Sequence, residues 1–211
     1  GIAIGTVVLP NLSKYIQSNN KKKILFIQNK SLELSMFLSL PAAFALLVAP
    51  EQITSSLFGY GSFDILSVKN SALALFYFAL GLPAFSLIKI FSIFLFARHN
   101  TKEPFYFSLF SVFLNIFISI YYFKSVGFII IPIATTIASW FNALLLLIYL
   151  SYKKYFLLSS KIFIPFLKIF FSSILTSFIF YILINYFQKY LNYDSEFKLF
   201  TMILLVLITF I

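Results

Sequence analysis

The chain has 211 residues, 61% of them hydrophobic and only 10% charged, where a soluble domain carries about 25% charged residues. So few charges cannot cover a water-soluble globule, which leaves lipid as the solvent for most of the outside. The net charge of +10 would suggest nucleic acid for a soluble protein, but here it is better explained by Lys and Arg collecting on the cytoplasmic side of a membrane.

In lipid every backbone polar group must be paired internally, so the choice is helices or a closed barrel. Barrel strands are about ten residues long and alternate polar with apolar. The apolar runs here are longer and apolar on all sides. The expectation is an all-α, polytopic transmembrane helical bundle. The absence of cysteine and the single histidine, His99, exclude disulfides and a multi-histidine metal site. No cofactor is expected.

In chain order, residues 1–13 suggest the exit end of a helix begun upstream. Residues 14–30 form a basic loop holding Lys21, Lys22 and Lys23. The first complete span is 31–50, interrupted by Pro41 and carrying the small stripe Ser35, Ser39 and Ala42. A loop on the opposite face follows, in which Gly59, Gly61 and Asp64 make a solvated turn. The second span, 71–97, contains the break Gly81-Leu82-Pro83 and then Lys89.

Lys89 is the most informative residue. It lies nine positions before Arg98, so at 1.5 Å per residue it sits roughly 13 Å into a hydrocarbon core about 30 Å thick. A lysine at that depth costs at least about 2.5–3.5 kcal/mol if it faces lipid. It must therefore meet a polar cavity, an anionic ligand or a structural counter-charge. Ser86 and Ser92, at i−3 and i+3, share its face.

The third span, 104–123, bears Ser108, Ser111, Asn115 and Ser119 on one side. The fourth, 126–150, contains Pro132 and bears Thr135, Ala138, Ser139 and Asn142. Such stripes mark close helix contact or a cavity wall. Asn115 and Asn142 are the members placed to reach a cavity. The fifth span is 163–187, and 197–211 begins a last one. Both chain ends suggest truncation, so the expectation is a fragment of a longer polytopic protein.

Strict alternation across the membrane puts Lys14, Lys21, Lys22, Lys23, Lys30, Arg98, Lys102, Lys153, Lys154, Lys161 and Lys168 on one face. Only Lys69, Lys124, Lys189 and Lys198 fall on the other, with Glu51, Asp64, Asp194 and Glu196. The asymmetry makes the first face cytoplasmic. There is no phosphate-binding loop, HExxH, GxSxG or helical carboxylate pair, so no enzyme signature is present.

The linear pattern resembles the MurJ/MviN family. Gly1-Ile-Ala-Ile-Gly5-Thr-Val-Val-Leu-Pro10-Asn-Leu-Ser13 is similar to the end of the family's eighth helix, and Leu40-Pro41-Ala42-Ala43 to its ninth. Leu57-Phe58-Gly59-Tyr60-Gly61-Ser62-Phe63-Asp64 resembles the following loop. Tyr77-Phe-Ala-Leu-Gly81-Leu-Pro83-Ala-Phe85 with Lys89 resembles the tenth helix, Phe96-Ala-Arg98-His-Asn-Thr101-Lys-Glu-Pro104 its turn, and Ala138-Ser-Trp140-Phe-Asn142-Ala-Leu the twelfth.

The resemblance implies a transporter of the multidrug/oligosaccharidyl-lipid/polysaccharide exporter superfamily, with two lobes around a central cavity. Residues 1–150 would belong to the second lobe's bundle. Residues 151–211 would supply the two last helices, which in the family form a groove for a polyprenyl tail. The implied activity is flipping of lipid II across the bacterial inner membrane, with loop 14–30 cytoplasmic. The implied partners are lipid II, membrane lipids and the remaining N-terminal lobe, with no nucleic acid. The implied substrate or cavity residues are Lys89, Ser86, Ser92, Asn115, Asn142 and, more loosely, Arg98. The family's other ionised cavity positions lie mostly upstream of Gly1. The alternatives are a polysaccharide-lipid or drug exporter of the same superfamily, a membrane polyprenyl-phosphate transferase, or a silent scaffold.

Overall fold

The structure is a computed structural model that describes residues 2–156 and 160–210, with side chains over 5–156 and 163–210. Lys161 lies outside the described side chains. The helices are α1 (Ile2–Gln17), α2 (Lys21–Val48), α3 (Pro50–Phe58), α4 (Ile65–Phe96) and α5 (Lys102–Val126). After a 3-10 turn (Gly127–Ile129) come α6 (Ile130–Tyr152), α7 (Ser160–Tyr186), α8 (Gln188–Leu191) and α9 (Lys198–Phe210).

Lys21–Val48, Ile65–Phe96, Lys102–Tyr152 and Phe163–Tyr186 are long and apolar enough to cross a membrane. The stretch Lys102–Tyr152 is α5 and α6 packed against each other as a hairpin. Gly127, at φ +75°, makes the turn between them in a conformation that a side chain disfavours. The expected all-α bundle is therefore the observed architecture.

Contacts run in a row α5, α6, α4, α2, α7, α9. Helix α1 lies against α2 and α4, and α3 against α4 and α9. The backbone accounts for three departures from the expected loops. The basic loop 14–30 is mostly helix: only residues 18–20 interrupt it, and the Asn20 side chain caps α2 by accepting from the Lys23 N–H at 3.1 Å. Lys21–Lys23 thus open a helix, because the cap satisfies a donor that the first turn leaves free. Residues 50–58, expected as loop, form α3, started by Pro50 at its first turn. Asp64 is not merely a solvated turn residue: its carboxylate accepts from the Ser67 N–H at 2.8 Å and starts α4. Pro132 interrupts nothing, since it stands in the first turn of α6, where the missing N–H has no helical partner.

The apolar side chains form two clusters. One, toward the face that carries Arg98, joins Val8, Leu12, Ile90, Phe91, Phe94, Leu146, Leu150 and Phe156. The other joins Ala49, Phe180, Ile184, Leu191, Met202 and Leu205 toward the opposite face. Between them the buried residues of α4 and α6 are small: Ala72, Ala79, Gly81, Ala84, Ala134, Ala138 and Ala143. Lipid gives helices no hydrophobic reason to associate, so small residues that bring backbones together carry the packing. A Cβ on Gly81 would sit 3.0 Å from the Thr136 hydroxyl. That hydroxyl donates to the Tyr77 carbonyl at 2.7 Å, and the Trp140 indole N–H donates to the Leu80 carbonyl at 3.0 Å. Both anchors fall within two turns before Pro83.

Helices α1, α4 and α6 end alike on the Arg98 face. Asn19, His99 and Lys154 adopt φ of 51°, 57° and 56°. The next N–H reaches back five residues in each case, Asn20 to Tyr15, Asn100 to Leu95 and Tyr155 to Leu150. This left-handed cap satisfies carbonyls that the helix end would otherwise leave free.

Candidate functional site

Helix α4 continues past Pro83 without interruption and so carries Lys89 in its second half. Lys89 is exposed and makes no hydrogen bond, ion pair or ring contact with a described residue. The expected flanking residues Ser86 and Ser92 are half-buried, and neither hydroxyl is hydrogen-bonded among the described residues. Ile93, one turn from Lys89, faces Gly5 of α1, where an added Cβ would meet it at 3.0 Å. The ammonium therefore stands one turn beyond the α1–α4 contact, with two open hydroxyls on its face. A free cation with unspent donors on a spanning helix can take an anion or a carboxylate from outside the described chain.

Arg98 is differently placed. One guanidinium nitrogen donates to the Phe94 carbonyl at 2.6 Å, and the other to the Tyr155 carbonyl at 3.0 Å. The group also lies 4.6 Å from the Tyr155 ring centroid. Burial pushes it below its usual pKa, against a smaller opposing effect of Tyr155, and it stays charged at any physiological pH. Gln28, fully buried, donates to the same Tyr155 carbonyl at 2.9 Å. Arg98 was expected to line the cavity, if loosely. Two of its five N–H donors go instead to the Phe94 carbonyl at the end of its own helix and the Tyr155 carbonyl just after α6.

Asn115 and Asn142 also turn to neighbouring helices. Asn115 donates to the Thr135 hydroxyl at 2.9 Å and accepts from Ser119 at 3.4 Å. Asn142, buried, donates to the Ser108 hydroxyl at 3.4 Å. Both bind the α5–α6 hairpin together, which is the packing reading of the stripes rather than the cavity reading. Of the six expected residues, the structure leaves Lys89, Ser86 and Ser92 together and open.

Two further features stand out, one unforeseen in the sequence and one only implied by the resemblance. The first is Lys198, placed among the loop lysines of the sparsely charged face. Its side chain is 1% exposed. The ammonium donates to the Gly59 and Tyr193 carbonyls, each at 2.5 Å, and lies 4.2 Å and 4.6 Å from the Tyr60 and Tyr193 ring centroids. The Tyr193 hydroxyl donates to the Phe63 carbonyl at 2.8 Å. Removing an ammonium from water costs several kcal/mol. Hydrogen bonds from a charged donor return about 1.5–3 kcal/mol each, and each aromatic face about 0.5–2 kcal/mol. No local pattern foretells this, because Tyr193 is near in sequence but Gly59 and Tyr60 lie more than a hundred residues away.

The second is an open groove of about 520 Å³ between α2, α7 and α9, lined by Phe37, Pro41, Lys168, Ile169, Ser172, Ser173, Thr176, Ile208, Thr209 and Phe210. The two last helices were expected to be apolar all round. Yet Lys168, Ser172 and Thr176, at successive i+4 positions, give this wall a polar row.

The row of spanning helices and the small-residue seams between them define a piece of a multi-pass membrane protein. Residues 1–202 match the family described as "Lipid II flippase MurJ", and the chain belongs to that family. It is 42% identical over 146 residues to a probable lipid II flippase MurJ of Rhizobium meliloti (strain 1021), covering 69% of this chain and 27% of that protein. It is 36% identical over 149 residues to the corresponding protein of Rickettsia prowazekii (strain Madrid E), covering 71% and 29%. A solved structure of lipid II flippase MurJ in an inward closed conformation superimposes with a TM-score of 0.75 at 25% identity, covering 98% of this chain and 41% of that one. The chain thus spans under a third of the length of these curated relatives. Family and spans together make it a multi-pass protein of the bacterial inner membrane.

Proposed function

We propose that this chain supplies most of the second lobe of a lipid II flippase, and that Lys89 presents positive charge to the anionic pyrophosphate headgroup or to a cavity acid as the headgroup crosses. The observation that carries this reading is Lys89 itself: an exposed, unpaired ammonium beside the open hydroxyls of Ser86 and Ser92 on a spanning helix. A cation so placed is unfavourable in lipid and becomes useful once the rest of the transporter closes a polar cavity over it. Transporters of this kind hold substrate near the midplane and move one half against the other. The groove between α2, α7 and α9 would take the polyprenyl tail, and the basic face would be cytoplasmic, as its excess of Lys requires. Residues 1–150 then act as the headgroup-side bundle and 151–211 as the tail-side helices. Nothing in the chain's own chemistry calls for a cofactor.

The test is lipid II translocation by the intact transporter carrying Lys89→Ala, Lys89→Gln or Lys89→Arg. Loss of one favourable charge contact predicts about a tenfold slower turnover for the first two, with Arg retaining most activity. Unchanged translocation in Lys89→Ala at equal expression would overturn the assignment.

A further inference from the structure

The junction around Lys198 joins two elements that the proposed function uses separately. Lys198 opens α9, one wall of the α2–α7–α9 groove. Its ammonium grips Gly59 and Tyr60, in the connection that leads into α4. Tyr193 holds the same connection a second time, through the carbonyl of Phe63, the residue before the α4 cap Asp64. Helix α4 carries Lys89. On this face the start of α9, a helix whose far end lines the groove at Ile208, Thr209 and Phe210, is therefore fastened to the connection into α4. The ammonium makes no ion pair with Asp194 or Glu196, both exposed in the adjoining loop. The clamp is built from two carbonyls and two tyrosine faces, an arrangement that favours a cation over a neutral donor.

We infer that Lys198 is a positioning residue that locks α9 to the start of α4 through Gly59, Tyr60 and Tyr193, so that occupancy of the tail groove is transmitted to the helix bearing Lys89. This rests on the flippase reading. The lock predicts that a tail in the groove favours one placement of α4, and that cutting it leaves headgroup and tail to act independently. The clamp lies at the far end of α4 from Arg98, so α4 is held at both ends: by Arg98 to the α6–α7 connection and by Lys198 to α9.

The experiment uses the intact transporter in lipid nanodiscs with Lys198→Met, Lys198→Arg and Tyr193→Phe. Tyr193→Phe removes one hydroxyl and keeps both rings, so it remains informative if Lys198→Met fails to fold. Spin labels on introduced cysteines at Leu66 and Leu199 report the α4–α9 separation. A single narrow distance in the parent that broadens in Lys198→Met and Tyr193→Phe, and narrows again in Lys198→Arg, supports the lock. An unchanged distribution in both former variants overturns it, whether or not the protein flips lipid II. Translocation is then measured with long-tailed and short-tailed lipid II. The lock predicts that the variants lose the parent's preference for the long tail, by about tenfold in turnover, while the short-tailed substrate is handled as before. Equal slowing of both substrates would reduce Lys198 to a merely structural role and overturn the coupling. A parent that flips neither substrate would sink the flippase reading alone, because the distances still decide the lock.

Discussion

The guanidinium of Arg98 and the carbonyl of Tyr155, 57 residues apart in the chain, are joined at 3.0 Å, with the Tyr155 ring stacked beside the same cation at 4.6 Å. This is the point at which α4 takes hold of the α6–α7 connection. It turns the one arginine of the chain from a candidate ligand for an anion into a fastening. A lysine cannot serve both the Phe94 and Tyr155 carbonyls in the planar geometry that the fork provides. Arg98→Lys is therefore expected to lower stability by about 1–3 kcal/mol, read as a lower thermal midpoint in detergent without substrate. If the midpoint holds and only translocation falls, Arg98 belongs to the substrate path after all.

The left-handed caps make a prediction of the opposite sign. His99 and Lys154 adopt a conformation that costs an ordinary residue roughly 1–2 kcal/mol and glycine almost nothing. His99→Gly and Lys154→Gly should each raise the thermal midpoint, offset in part by the greater freedom of glycine in the unfolded chain. Asn19→Gly should gain less, since asparagine tolerates this region.

Gly81 makes a packing prediction. A Cβ there would meet the Thr136 hydroxyl at 3.0 Å and the Phe85 ring at 3.1 Å, both side-chain atoms. Gly81→Ala can be accommodated by small rotations, whereas Gly81→Leu must push α4 from α6 and break the Thr136–Tyr77 bond. The expected cost of the larger residue is about 1–3 kcal/mol, with the leucine variant showing faster proteolysis at the α5–α6 hairpin.

The cap of α4 supplies a pH dependence. The Asp64 carboxylate is held below its usual pKa first by the side chain of Ser67 and then by the Ser67 backbone N–H. Its folded pKa is depressed, so its contribution to stability is present above the unfolded pKa and is lost as pH falls through the folded one. Asp64→Ala should therefore lower the thermal midpoint at neutral pH, and the gap from the parent should close as pH drops below the ordinary carboxylate range.

How far the sequence could be read follows from where each signal lives. Spans were legible because twenty apolar residues in a row are a local property. Lys89 stood out because a lysine nine residues from a helix end needs no tertiary knowledge to draw notice, and the structure leaves it exposed and unpaired among the described residues. Lys21–Lys23 and Pro50–Phe58 were taken for loop because hydropathy registers lipid, not backbone, and a polar helix turn at a membrane face is invisible to it. Asn115 and Asn142 were assigned to a cavity by type, but a helix stripe alone cannot say which neighbour it meets. Lys198 was lost for the same reason in stronger form. Its burial depends on Gly59 and Tyr60, 139 and 138 residues away, and a lysine that starts a helix looks the same whether caged or solvated.

The most direct measurement uses thiol labelling: this chain holds no cysteine, and any in the rest of the intact transporter are replaced first. In the intact transporter in native membranes, a single cysteine at Lys89 is exposed to a membrane-impermeant, water-borne thiol reagent, with Phe113 on the exposed side of α5 as the lipid-facing control. The account predicts that position 89 is labelled and protected by added lipid II, while position 113 is not labelled. Labelling of position 89 only by lipid-soluble reagents, with no protection by lipid II, would contradict it.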